Sequence, residues 1–190
     1  MGLVAGIGAA PAATASTWSH SDPGKDVLVT RYDGREQAEP DVSTSFKQGD
    51  LMKATVQHTG SLLQVATTLR AFDLPDYQWR LTVVTSRGDR FVITRSGDSG
   101  DGPLPNTITR NGYDFECEGM RVNPTSSGVL ARVPRACLGT PYRVRVGVQT
   151  EVNQEIDREF NVGRLGADDL LRAGKMTRHR PVFSPWIASS

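Results

Sequence analysis

The sequence has little of what metal, redox and nucleotide chemistry use. Its 190 residues include two cysteines and three histidines. His20, His58 and His179 stand far apart and form no H-x-H or H-E-x-x-H arrangement, so they spell no common zinc site. The cysteines form no C-x-x-C pair and have no histidine beside them, which leaves no thiol redox or zinc-ribbon motif. No phosphate-cradling glycine loop or dinucleotide fingerprint is present. Charge of one sign is also missing: 22 basic residues stand against 21 acidic ones. Composition therefore gives no support for a nucleic-acid partner. No apolar run approaches the ~20 residues of a membrane-spanning helix. There are no internal repeats and no heptads, which excludes solenoids and coiled coils.

What is present is period-two patterning. From Asp50 to Arg95 the chain reads as a meander. Met52, Ala54 and Val56 alternate with Lys53, Thr55 and Gln57. Beyond the Thr59-Gly60 turn, Leu63, Val65 and Leu69 alternate with Gln64, Thr68 and Arg70. Trp79, Leu81 and Val83 then face opposite Arg80 and Thr82, and Arg87-Gly88 makes the next turn. Such alternation marks half-buried antiparallel strands. Further strands are expected at Val27–Val29, Thr107–Thr109, Tyr113–Cys117 and Gly128–Val133. Asn111-Gly112 reads as a hairpin turn. Tyr142, Val144, Val146 and Val148 alternate with Arg143, Arg145 and Gly147, placing both arginines on a solvated face. Glu155–Asn161 reads as an edge strand. The 19 glycines and 11 prolines fit so turn-rich a chain.

The two ends have a different character. Residues 1–16 read as the remnant of a secretory signal peptide, with Ala13-Thr14-Ala15 in the A-x-A pattern. The basic segment that normally opens such a stretch is missing, so the start is expected upstream of Met1. Cys117 and Cys137 then read as one disulfide closing a 20-residue loop, a stabilisation of about 3 kcal/mol by chain entropy. The β-domain is expected over 17–162, followed by a basic and apolar tail over 163–190. In that tail Asp168 to Ala173 reads as a short helix, with acids at its start and Gly174 as its stop. Docking of the tail on a sheet edge competes with a role as a basic anchor for anionic wall polymers.

Several motifs suggest chemistry. Gly97-Asp98-Ser99-Gly100 resembles the G-D-S-G-G-P signature of chymotrypsin-like proteases, but Asp101 interrupts it. His58, Asp73 or Asp76, and Ser99 stand in triad order, yet too little chain precedes Ser99 for that fold. Asp98 and Asp101 on the same glycine-rich loop are the candidate ligands for a structural Ca²⁺, with Asp22, Asp26 or Asp50 supplying further oxygens. Turn chemistry explains the same residues without an ion. Arg87-Gly88-Asp89 spells an adhesion tripeptide that the hairpin turn already accounts for. Glu116 and Glu118 are read as sharing one strand face, the arrangement a two-carboxylate hydrolase would need. Trp18, Trp79 and Trp186 are candidates for stacking on sugars, with Trp79 in phase with the core.

The V-Q-H…V-A-T-T-L-R-A-F-D-L hairpin and the block V-P-R-A-C-L-G-x-P-Y-R-V-R-V-G-V resemble a group of secreted actinobacterial proteins without assigned function. The strand order of the first half is similar to DOMON and family 9-type carbohydrate-binding sandwiches. DOMON haem sites use Met and His, which Met52 and His58 match in residue type alone. The resemblance implies a fold and no activity, sugar ligand or haem. The expectation is an all-β, antiparallel β-sandwich of about 8–10 short strands with one disulfide and a short helical C-terminal tail. Its expected role is a secreted or cell-wall-associated, non-catalytic module, without a resident cofactor, that binds a polysaccharide or an extracellular protein. A structural envelope module without a small ligand and a hydrolase are the alternatives.

Overall fold

The computed structural model describes residues 16–72, 76–97, 104–157, 159–172 and 180–190. The chain forms two antiparallel sheets. The five-stranded sheet runs β1 (Ser16–Ser21), β5 (Leu51–His58), β6 (Leu62–Leu69), β12 (Gly128–Pro134), β11 (Arg121–Thr125). The second sheet runs β10 (Tyr113–Asp114), β9 (Thr107–Arg110), β8 (Arg90–Ser96), β7 (Tyr77–Thr85), β13 (Arg143–Asp157), β14 (Val162–Asp169), β2 (Val27–Asp33), β3 (Glu36–Gln37). Two short strands extend it: β4 (Asp41–Ser43) pairs with β2, and β15 (Ile187–Ala188) pairs with β13. The strand count among the described residues exceeds the expected one, in large part because four of these strands are pieces of two or three residues.

The inward faces are the ones the alternation marks. Ala54, Val56, Leu63 and Val65 from the smaller sheet meet Trp79, Leu81, Val83, Ile93, Val144 and Val146 from the larger one. All are buried, so the layers seal an apolar interior, the dominant favourable term in folding, and Val27, Val29 and Phe46 form a second, small cluster. Trp79 has no exposed surface. Its indole Nε1 donates across the sandwich to Thr67 Oγ1 at 3.1 Å, and Thr67 Oγ1 donates to Val129 O at 3.1 Å. The largest core side chain thus carries its polar atom to a partner on the opposite sheet. The Cys117–Cys137 disulfide joins the loop after β10 to a 3₁₀ turn at Arg135–Leu138, at the rim of the core.

Over the described residues 168–172 the expected helix is not there; Ala173 and Gly174 lie outside the described residues. Asp168 and Asp169 end β14, which is hydrogen-bonded on both sides, to β13 and to β2, and Leu170–Arg172 form a turn. The pairing with β2 ends at Ala167, but pairing with β13 runs on through Asp169, and the two carboxyls accept the Leu51 and Val182 N–H groups; these non-local bonds outweigh a local capping pattern. The boundary expected at 162/163 therefore falls inside the larger sheet, and 17–162 does not contain the whole sandwich. Glu155–Asp157 is likewise the far end of β13, bulged between Glu155 and Asp157, rather than a separate edge strand.

Residues 180–190 lie along β13 where β14 does not reach. Ser184 N donates to Val146 O at 2.8 Å, Val146 N donates to Ser184 Oγ at 3.0 Å, and Ile187 pairs with Val144. Pro181 and Val182 cover the outer face at Gly147. A Cβ there would stand 2.6 Å from Pro181 Cβ and 2.7 Å from Val182 O, so only glycine admits this approach. Gly147 and Gln149, outward by alternation, are buried for this reason.

Candidate functional site

Two constellations carry chemistry, and the first is a stack of arginines and rings along β13. Val144 and Val146 point into the core, so Arg143 and Arg145 project outward. On the docked tail Ile187 is buried and Trp186 turns to the opposite side. The Arg143 guanidinium lies 5.1 Å from the Tyr142 ring and 4.8 Å from the Trp186 ring. The Arg145 guanidinium lies 5.2 Å from Trp186 and 4.9 Å from Phe183. The order Tyr142, Arg143, Trp186, Arg145, Phe183 forms a ladder of alternating rings and cations. Cation–π attraction holds each guanidinium in place. Tyr142 is 60% exposed and Trp186 40%.

These two arginines are each flanked by two rings, whereas three arginines elsewhere are held by carboxylates. Arg70 reaches Asp50 at 2.7 Å, Arg80 reaches Glu151 at 3.8 Å and Arg110 reaches Asp89 at 3.1 Å. Among the described residues no carboxylate pairs with Arg143 or Arg145. The Nε of each is buried without a hydrogen-bond partner. Two residues apart on one strand face, their Cα atoms are about 7 Å from each other.

The second constellation is acidic and closed, at one end of the sandwich where β1 hands over to β2. Gly24 and Lys25 there adopt left-handed backbone (φ +66° and +68°). Their N–H groups donate to Asp22 Oδ1 at 2.8 Å and Asp50 Oδ2 at 3.0 Å. Asp168, inward at the end of β14, accepts the Leu51 N–H at 2.6 Å and so ties the larger sheet to the start of β5. Its neighbour Asp169 points outward, accepting the Val182 N–H at 3.1 Å and the Gln149 amide at 3.3 Å, and so holds the tail. Oxygens of Asp26, Asp50 and Asp168 lie within 4.8 Å of one another.

Burial dominates the electrostatics of this end. It pushes the Asp168 carboxyl up to about 8; the Leu51 N–H opposes the rise, and Asp26, Asp22 and Asp50 add to it. Asp50 is raised by burial despite the Lys25 N–H and Arg70, and Asp22 is raised by burial with help from Asp26 and Asp50. Asp169 is raised by burial against the pull of the Leu171 and Val182 N–H groups. The three close carboxylates are an oxygen donor set of the type hard cations take. Asp50 is 0% and Asp168 2% exposed, so no polymer substrate reaches them.

The sequence candidates fall out as follows. Asp98 and Asp101, the expected Ca²⁺ ligands, lie outside the described residues, as do Ser99, Asp73 and residues 1–15 of the expected signal peptide. Asp26 and Asp50 do come together, with Asp168 as a partner the sequence reading assigned to a helix. Strict alternation is lost around Gly163 and Gly166, where Tyr32 and Phe46 pack onto bare backbone. That irregularity hid the strand. Glu116 and Glu118 are not on a strand: both are exposed in the loop after β10, beside an open depression of about 920 Å³.

His58, expected at a rim, is wholly buried, its Nδ1 3.1 Å from Ile187 O. Burial holds its pKa below the usual histidine value, with Ile187 O opposing and Arg135 adding to the shift. It is closed to a triad. Met52 and His58 stand at opposite ends of β5, about 20 Å apart, too far to share one haem iron. Asp89 of the Arg-Gly-Asp string is engaged by Arg110 and Asn111. Trp18 packs on the core against His20. Compared with known proteins, the chain matches no protein-family model and no curated protein sequence.

Proposed function

We propose that the protein is an extracellular or cell-wall-associated, non-catalytic β-sandwich module that binds a wall or environmental polysaccharide through the Tyr142–Phe183 ladder. The observation that carries this reading is the half-buried, ring-bracketed pair of arginines beside the exposed Tyr142 and Trp186 rings on a rigid sheet face. Tyr142 offers ring surface to the apolar face of a sugar, and the flanking guanidinium groups offer hydrogen bonds to hydroxyl groups. The platform is pre-formed because Ser184 and Ile187 pin the tail to β13, and pre-organisation reduces the ordering cost of binding. Export is supported by the disulfide, which persists in oxidising compartments, by the A-x-A stretch, and by the resemblance to secreted actinobacterial proteins.

A protein partner is the second reading, favoured by Ile156 and Phe160. They are 58% and 65% exposed near the tip of the β13–β14 hairpin. The two are separated by retention on insoluble peptidoglycan, cellulose and chitin. Retention on one of these polymers, reduced in Tyr142→Ala and unchanged in Phe160→Ala, is the expected result. Retention on none of the three, with no binding of a soluble galacturonan either, removes the polysaccharide reading.

A further inference from the structure

The ladder on β13 holds two cations with no carboxylate partner among the described residues. Side by side on one strand face, Arg143 and Arg145 repel each other, as like charges on neighbouring sheet positions do. Arg70, Arg80 and Arg110 each have a carboxylate within 4 Å, whereas Arg143 and Arg145 each lie between two aromatic rings instead. Here the rings of Tyr142, Trp186 and Phe183 take the guanidinium faces. The buried Nε edges have no acceptor among the described residues, which leaves the Nη groups to meet a ligand. Ring-stacked, planar, always charged and free of competing acids, such groups match a carboxylate better than a neutral hydroxyl.

We propose that the ligand of this face is an acidic polysaccharide, with carboxylated sugars seated on Arg143 and Arg145 and an apolar sugar face on Tyr142. The proposal rests on the polysaccharide reading above and narrows it to one chemical class. A linear chain fits the track because the two cations follow the strand direction. A protein surface fits less well: stable interfaces bury ~800 Å² per partner around an apolar centre, whereas the centre here is charged.

The test is titration calorimetry of the full chain with three probes: a galacturonan oligomer, a neutral galactan oligomer of equal length, and polyglutamate. Binding of the galacturonan alone, weakening with added salt, is expected. Arg143→Gln and Arg145→Gln should each weaken it by about tenfold or more, the worth of a charge-assisted hydrogen-bonded contact. Arg145→Lys keeps the charge, loses the planar fork and should fall between. Thermal melts of each variant confirm that the sandwich is intact. Equal binding of galactan and galacturonan overturns the acidic class and leaves the polysaccharide module standing. Equal binding of polyglutamate overturns it in favour of a protein partner. Galacturonan affinity unchanged in both glutamine variants overturns the assignment to this face. Binding of no probe overturns the proposal, while retention on the insoluble polymers separately decides the broader reading.

Discussion

The buried carboxyl of Asp168 makes the stability of this fold depend on pH in an unusual direction. Its folded pKa of about 8 stands above the ordinary value of 3.8, so the folded chain keeps a proton that the unfolded chain has lost. For a group raised in this way, the favourable contribution is complete below the unfolded value. It is lost as pH rises toward the folded one. The slope is about −1.4 kcal/mol per pH unit while the proton counts differ by one. From pH 6.5 to 8 the wild type should therefore lose about 2 kcal/mol. That corresponds to a fall of about 4–8 °C in Tm for a chain of this size. The window opens at the unfolded histidine midpoint, above which His58 adds little because it is neutral in the folded state and increasingly so in the unfolded one. Asp22, Asp50 and Asp169 act in the same direction.

The assay is urea unfolding across that range for the wild type and Asp168→Asn. The variant cannot titrate, and its amide oxygen serves only one of the two N–H donors, Leu51 and Asp169, that the carboxylate accepts. It should be less stable than the wild type at pH 6.5 by about 1–3 kcal/mol, the usual cost of a lost buried partner. The gap should close by about 2 kcal/mol at pH 8 as the wild-type curve falls more steeply than that of the variant. Parallel curves for the two proteins would refute the reasoning, because the proton would then reside on another group.

Trp79→Ala should cost about 3–5 kcal/mol in chemical denaturation, since it empties a sealed site. Trp79→Phe should cost less, with Thr67 left without its indole donor. Replacing Cys117 and Cys137 together by serine should lower stability by about 3 kcal/mol without changing the far-UV signature of the sheets. Gly147→Ala should push Pro181 and Val182 off β13 and cost about 1–3 kcal/mol. A change in Trp186 fluorescence would report it, and an unaltered spectrum and melt would argue against the close approach. The advantage of wild type over His58→Gln should narrow as pH falls below about 6.5, because protonation of this buried ring opposes folding.

Period two was enough to place the inward rows Ala54–Val56, Leu63–Val65, Trp79–Val83 and Val144–Val148. A residue's face in a strand is fixed by its parity, whichever strand lies next to it. The pairing of Cys117 with Cys137 followed from there being only two. The sequence also marked Trp186 and the outward arginines, although as separate features. Their union depends on residues 180–188 filling the edge of β13 that β14 leaves open, a non-local hydrogen-bonding choice with no local signature. The same holds for Asp168 and Asp169. Their parity sends one carboxylate to Leu51 in the opposing sheet and the other to Val182 in the tail, whereas their sequence neighbours read as a helix start. Local order was written in side-chain alternation. The ring-and-cation ladder and the buried acids came from main-chain pairing between segments more than 30 residues apart, where the free energy belongs to the closed sandwich rather than to any single stretch of it.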